Sequence, residues 1–424
     1  MSTLAAPQAH DRAGVATAPV GVRRPGGARI AVVVLVVFAA IPLTFLQNRV
    51  LGFQMSGWSW LAVAAVIAPF ALTEPLSPRA VRLLAPYLLF LLVGAASLGW
   101  GREVGTGFVR SAQLLVQLAV PALAYLVGWR LPWDVVTRRR LERIAWLGLV
   151  IAAGLTLVTR GATVEPLGLQ LSTRPMSIAL VVLLVAATVA VPAARAHRAA
   201  VTAGLAALAV AVGSQSRMAT AVLLLLLCVS PALRGPGRPG REPRPLGWRG
   251  RAALALLILL VVVAVSQTRA FRERFFFDDD ATLLDMITLD ESVNTAGRRE
   301  LWPALLEVCS ESPWTGLGVG ASYGLSASLS DGGITHPHNE YLRTYCDVGL
   351  IGALPVWAFF AWAAVRSWRG VFRGPVPLLH GAAGQLVLAL LAFAITDNPL
   401  AYTAHLMVPV MVVLGLSDRH LHAG

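Results

Sequence analysis

The 424-residue chain contains no lysine: all 35 of its basic side chains are arginine. With abundant Ala, Gly, Pro and Val, that bias reflects a GC-rich coding sequence rather than a special chemistry. Charge of either sign is scarce too, 13% against the roughly 25% of soluble domains, which excludes an ordinary soluble enzyme. The GLGVGASYG stretch has no Lys-Ser/Thr pair and no strand-to-helix context, so it is neither a phosphate loop nor a dinucleotide fingerprint; it reads as a flexible turn. No second cluster of His, Cys or Asp completes a shell around the His-Pro-His triplet, so no metal site is expected. Asp278, Asp279 and Asp280 are consecutive, and consecutive carboxylates do not converge on one cation. No internal repeat is visible, and the connection after the sixth apolar run is short, which argues against a transporter or flippase built from two halves. Only three cysteines occur; Cys228 lies in an apolar run, whereas Cys309 and Cys346 have the freedom to meet outside it, with free thiols as the expectation.

What remains is apolar. Hydrophobic residues make up 56% of the chain and the mean hydropathy is +0.68. A spanning helix needs about 20 mostly apolar residues to cross a hydrocarbon core of roughly 30 Å. Such runs occur at 30–47, 58–73, 83–100, 111–129, 141–158, 176–193, 199–214, 217–233, 252–268, 348–366, 377–396 and 398–416. The expected fold is therefore all-α, a polytopic integral membrane protein of about 12 transmembrane helices with a large extracytoplasmic loop between helices 9 and 10. The formal charge of +13 does not call for nucleic acid. Placing the N-terminus in the cytoplasm puts 23 arginines on cytoplasmic segments and 12 outside, 6 of those in the long loop, where the positive-inside bias does not operate. Both termini are then cytoplasmic. The expected organisation is a disordered tail at 1–28, helices 1–9 over 29–268, an extracytoplasmic loop at 269–347, helices 10–12 over 348–416 and a short tail at 417–424. Arg23-Arg24 before the first run reads as the flank of an uncleaved span. The arginine- and proline-rich stretch 234–251 reads as a cytoplasmic linker beside anionic lipid.

The long loop is where chemistry is expected, since the other connections are mostly short. It opens with aromatic and acidic residues at 269–292. Thr295, Arg298 and Arg299 then begin a helix whose apolar face is Trp302, Leu305, Leu306 and Cys309, with Pro303 as a kink or a later start. The loop ends in THPHNEYLRTYCDVGLIG, residues 335–352. Pro337 holds His336 extended, and Asn339 is a fitting N-cap for a helix continuing into the tenth span. His338 then stands at the positive end of that helix, a position that favours an anion nearby and suits a proton acceptor. Gln113 and Gln117, one turn apart, are expected to hydrogen-bond another helix; Asp397 and His405 are ionisable with no evident partner.

GRRELWPALLEVCSESPWTGLGVG, then HPHNEYL, then DVGLIG at the start of a span, together resemble the O-antigen ligase and polymerase family of bacterial cell-envelope enzymes. The resemblance is specific over about 298–352. It implies a multispanning, all-helical glycosyltransferase that moves a glycan from undecaprenyl pyrophosphate to an acceptor hydroxyl without a cofactor. It implies His338 as the essential loop histidine and Arg217 and Arg298 as the pyrophosphate-binding arginines, with Arg299 as a possible substitute. Chemically the set is coherent. Guanidinium forks grip phosphate oxygens and stabilise charge on the leaving oxygen, and an imidazole removes the acceptor's proton in a displacement that inverts the anomeric carbon. Arg174, His336, Asn339, Tyr341 and Arg343 are candidates for the surrounding substrate pocket. The implied partners are the undecaprenyl-pyrophosphate-linked donor, a glycan, lipid or protein acceptor, and the plasma membrane bilayer, with the active site extracytoplasmic. A polymerase of the same family is the nearest alternative, since it differs only in the acceptor.

Overall fold

The computed structural model describes residues 49–50, 53–72, 75–101, 107–159, 176–214, 216–233, 247–267, 297–401 and 403–422. The expectations for 1–28, the run at 30–47, Arg174, 234–246 and 268–296 fall outside them. A two-stranded hairpin, Arg49–Val50 against Phe53–Gln54, precedes thirteen α-helices among the described residues. These are α1 (Met55–Leu72), α2 (Pro78–Ser97), α3 (Gly107–Arg130), α4 (Val135–Thr159), α5 (Met176–Val189), α6 (Ala193–Gly213), α7 (Arg217–Val229), α8 (Trp248–Ser266), α9 (Arg298–Cys309), α10 (Ala321–Leu329), α11 (Glu340–Arg373), α12 (Pro377–Phe393) and α13 (Val408–Leu421).

Five of them, α2, α3, α4, α6 and α11, are long and apolar enough to cross a membrane, and α1, α5, α7 and α12 carry shorter apolar stretches. The protein is a membrane protein of helical architecture. Its apolar periodicity is read differently by different helices. On α2 the buried residues Ala80, Leu84, Tyr87 and Phe90 form one stripe, while Leu88, Leu89 and Leu92 face outward, as expected of a helix with lipid on one side. By contrast, α5 is buried all round from Ser177 onward and sits at the centre of the core, where its 14 residues span only about 21 Å. The tightest helix crossing is α3 against α13. There a Cβ on Gly128 would fall 2.1 Å from the Val412 carbonyl oxygen, and one on Gly415 would fall 2.2 Å from that of Tyr125. Glycine on both partners lets the two backbones touch.

One end of the bundle is closed by arginines that donate into the carboxyl ends of other helices. Arg130 reaches the Phe70 and Ala71 carbonyls at the end of α1, at 2.5 and 3.0 Å. Arg419 reaches those of Arg130 and Leu131 at the end of α3, and Arg251 those of Cys228 and Ser230 at the end of α7. Arg79 reaches the His422 carbonyl after α13. Each guanidinium meets carbonyls that have no partner within their own helix, at the negative end of its dipole. Beside them, Arg366 and Asp418 form a buried ion pair at 2.9 Å, and the carboxylate also accepts from the Tyr125 hydroxyl at 2.8 Å.

The other end carries the loop. Residues 297–339 fold over α11 around a small core of Leu301, Leu305, Cys309, Leu317, Ala321, Leu325 and Cys346. Cys309 and Cys346 are joined by a disulfide, so the expectation of free thiols is corrected: both side chains are buried in that core, where two distant segments meet. The glycine-rich stretch is not a flexible turn either. Helix α11 breaks at Gly349 (φ 59, ψ −170), which strands the amides of Leu350 and Ile351 and the carbonyls of Cys346 and Asp347. Residues 313–318 take up all four. Leu350 donates to the Pro313 carbonyl and Ile351 to that of Trp314, while the amides of Leu317 and Gly318 donate to Cys346 and Asp347, at 2.8 to 3.1 Å. The loop thus replaces the missing rungs of the helix. Glycine is required at both touching points, since a Cβ on Gly349 would lie 2.3 Å from the Trp314 carbonyl and one on Gly316 2.5 Å from the Gly349 amide nitrogen.

Candidate active site

The site is built from the start of α11, the start of α9 and the chain after α12. Asn339 caps α11 as expected: its side-chain oxygen accepts from the Leu342 amide at 3.0 Å. His338, immediately before the cap, adopts left-handed backbone (φ 50), which is uncommon for a non-glycine residue and costs of order 1–3 kcal/mol. Its ring is about one-third exposed, and its Nδ1 is buried and faces the Asp397 carboxylate at 3.7 Å. That separation is longer than a hydrogen bond but short enough for a carboxylate to orient the ring. Asp397, left without a partner in the sequence reading, is therefore a member of the site.

The expected last span, 398–416, is not one helix. After α12 the chain turns through Asp397 and Asn398 into a single 3-10 turn, Pro399–Ala401, then a π-helical turn, Thr403–Met407, before α13 begins and runs to Leu421. Pro399, with no amide hydrogen, is incompatible with a continuous ladder. The irregular backbone is satisfied in part by Gln117 of α3, whose side chain donates to the Ala401 carbonyl at 2.7 Å, so the expectation of an interhelical hydrogen bond holds for Gln117. Asp397, which faces His338 from this turn, also bears electrostatically on the buried His405, and Asn398 beside it in sequence is buried. Short π turns of this kind recur at functional sites.

His336 lies next to His338 with ring centroids 5.6 Å apart, and meets the Tyr323 ring edge-on at 5.3 Å. Burial, reinforced by His338, holds its pKa below the usual histidine value, so it is neutral at pH 7. Helix α9 begins at Arg298, after Gly297 in left-handed backbone (φ 75), and continues through Pro303. Its buried face is Leu301, Leu305 and Cys309; Leu306, expected on that face, is half exposed. Arg298 is half-buried and one turn before Trp302, while Arg299 is exposed, so Arg298 shares the face from which Trp302 reaches the site. The Trp302 indole donates to the Pro337 carbonyl at 2.7 Å.

The remaining candidates have the following surroundings. Arg217 is the exposed first residue of α7. The Tyr341 hydroxyl donates to the Leu391 carbonyl at 3.0 Å, with its ring 4.3 Å from that of Trp357. Arg343 is 1% exposed and its guanidinium is engaged by Glu340 and by Asp347, the latter at 3.2 Å. Among the described residues no three His, Cys, Asp or Glu side chains converge as a metal shell would require. Asp397 and Trp302 are the residues whose roles the sequence reading missed. The one signal for Asp397 was an ionisable group between two apolar runs with no evident partner.

Residues 202–357 match the sequence pattern of the family described as O-antigen ligase. The matched stretch holds Arg217, Arg298, Arg299, His336 and His338 and ends before Asp397. No curated protein matches the chain. Among solved structures, a chain from the work described as "Structural coordination of polymerization and crosslinking by a peptidoglycan synthase complex" is similar with a TM-score of 0.44 and 15% identity, over 79% of this chain and 95% of that one.

Proposed function

We propose, from the O-antigen ligase pattern across residues 202–357, that this membrane protein is a glycosyltransferase that moves a glycan from undecaprenyl pyrophosphate to an acceptor hydroxyl at the outer face of the plasma membrane. The observation that carries the reading is the pairing of His338 with Asp397 at the mouth of the loop, one ring nitrogen buried against a carboxylate while a third of the ring stays exposed. A carboxylate at Nδ1 favours the tautomer that leaves Nε2 with a lone pair for the acceptor's proton. Arg298, on the helix tied to His338 through Trp302, and Arg217 supply permanent charge for the pyrophosphate, with Arg299 at the rim. Attack of the acceptor oxygen on the anomeric carbon breaks the bond to phosphate, inverts that carbon and leaves undecaprenyl pyrophosphate. The acceptor's proton passes to His338, and no metal takes part. The disulfide supports an extracytoplasmic loop, because such bonds persist in oxidising compartments.

The test is His338→Ala in the full chain, assayed with lipid-linked glycan extracted from the source cells. Transfer should fall by about 10² to 10⁴ with membrane insertion unchanged, and a wild-type rate would sink the base assignment. Mass spectrometry of lipid-linked glycans in cells lacking the chain separates the two acceptors. Accumulated single repeats mark a polymerase; accumulated long chains mark a ligase.

A further inference from the structure

His338 keeps its left-handed backbone because the chain is tied down on both sides of it. After it, the Glu340 amide donates to the Ala394 carbonyl at 2.8 Å, fixing the start of α11 to the end of α12 and so to the turn that carries Asp397. Before it, the Trp302 indole donates to the Pro337 carbonyl at 2.7 Å. That carbonyl belongs to the peptide group joining Pro337 to His338, so its direction and the φ of His338 are set together. Pro337 is buried and its ring fixes its own φ, which leaves the peptide plane few other ways to turn. Trp302 is only half-buried, and its neighbours on the inner face of α9, Leu301 and Leu305, already fill the small core. Packing alone therefore does not explain an indole at this position; its N–H does.

We propose that Trp302 is a positioning residue for His338: its indole N–H holds the Pro337 carbonyl, and through it the left-handed backbone that aims the imidazole at Asp397 and at the acceptor. The inference deepens the transfer reading above and rests on it. A second consequence follows from the sequence spacing. Arg298 is one turn before Trp302 on the same helix, so the residue proposed to grip pyrophosphate and the residue that positions the base share one face of α9.

The test uses the full chain in proteoliposomes with extracted lipid-linked glycan as donor and source-cell membranes as acceptor. Trp302→Phe keeps an aromatic ring and deletes the donor; it should lower kcat by about 10- to 100-fold, as a misplacement near 1 Å does, with the donor KM within about twofold. In a His338→Ala background the same change should cost nothing further. Amide hydrogen exchange over 336–339 should quicken by about tenfold or more while α9 stays protected. Should Trp302→Phe fail to fold, 3-benzothienylalanine at 302, which replaces the N–H with sulfur in a ring of the same shape, makes the same comparison. A kcat within twofold of wild type would overturn the proposal, and so would an equal loss in the His338→Ala background, which would make Trp302 a substrate contact. Wild-type transfer by His338→Ala sinks the base assignment and this inference with it, and no transfer by the wild-type chain sinks the transfer reading; an active Trp302→Phe beside an inactive His338→Ala sinks only this inference.

Discussion

His338 presents its two ring nitrogens to two different environments. Nδ1 is buried toward Asp397, and about a third of the side chain is exposed, the part that meets substrate in the proposed transfer. Asp397→Asn should therefore lower kcat by about tenfold or more and leave the donor KM nearly unchanged, because it removes help given only as the imidazole takes up a proton. Equal losses in kcat and KM would instead mark Asp397 as a binding group. His336 makes a separate prediction. Its pKa is held below the usual 6.5, so as pH falls through that value the unfolded loop binds a proton before the folded one does, and the loop loses stability below about pH 6.5. Thermal melting of His336→Phe against wild type between pH 7.5 and 5.5 checks it; the wild type should lose stability more steeply toward acid. The His-Pro-His-Asn run and its cap were legible because they depend on neighbours in sequence. Asp397 was not, because it stands between the runs 377–396 and 398–416 and meets His338 only through a turn that nothing in its own sequence neighbourhood reveals.

At the scale of elements, α11 and the segment 313–318 form one unit, since each supplies the hydrogen bonds the other lacks. Gly349→Ala would force a side chain into a conformation reserved for glycine, at a cost of order 1–3 kcal/mol, and drive its Cβ against the Trp314 carbonyl. Melting temperature and activity should fall together, because the same break lies on the helix whose first turn carries the site. Removing the disulfide with Cys309→Ser and Cys346→Ser should cost about 2–4 kcal/mol, given the sequence separation of 37 between the two cysteines; calorimetry in detergent reads it. Helices were readable from hydropathy as apolar runs. Their interruptions were less so. A glycine at 349 and a proline at 399 look alike in any apolar stretch, and only the partners that satisfy the broken backbone distinguish a kink from a turn.

Across the whole molecule, the two ends of the bundle have different constructions. One carries the disulfide-stapled loop with His336 and His338; the other is drawn shut by arginines and by the Arg366–Asp418 pair. Asp418→Asn removes the charge that pairs with Arg366 and should destabilise the protein by about 3–5 kcal/mol without altering transfer chemistry at the far end, so per-molecule kcat in the folded fraction should hold. The arginines at 79, 130, 251 and 419 have a further consequence. In the topology expected from the sequence they belong to the positive-inside charge excess, and in the structure they seal helix ends by donating to neighbouring carbonyls. Lysine would serve the first purpose as well but not the second, because a single ammonium lacks the guanidinium's spread of donors. A chain with lysine at all four positions would enter the membrane the right way round and then hold its helices loosely: orientation is written in charge, closure in shape.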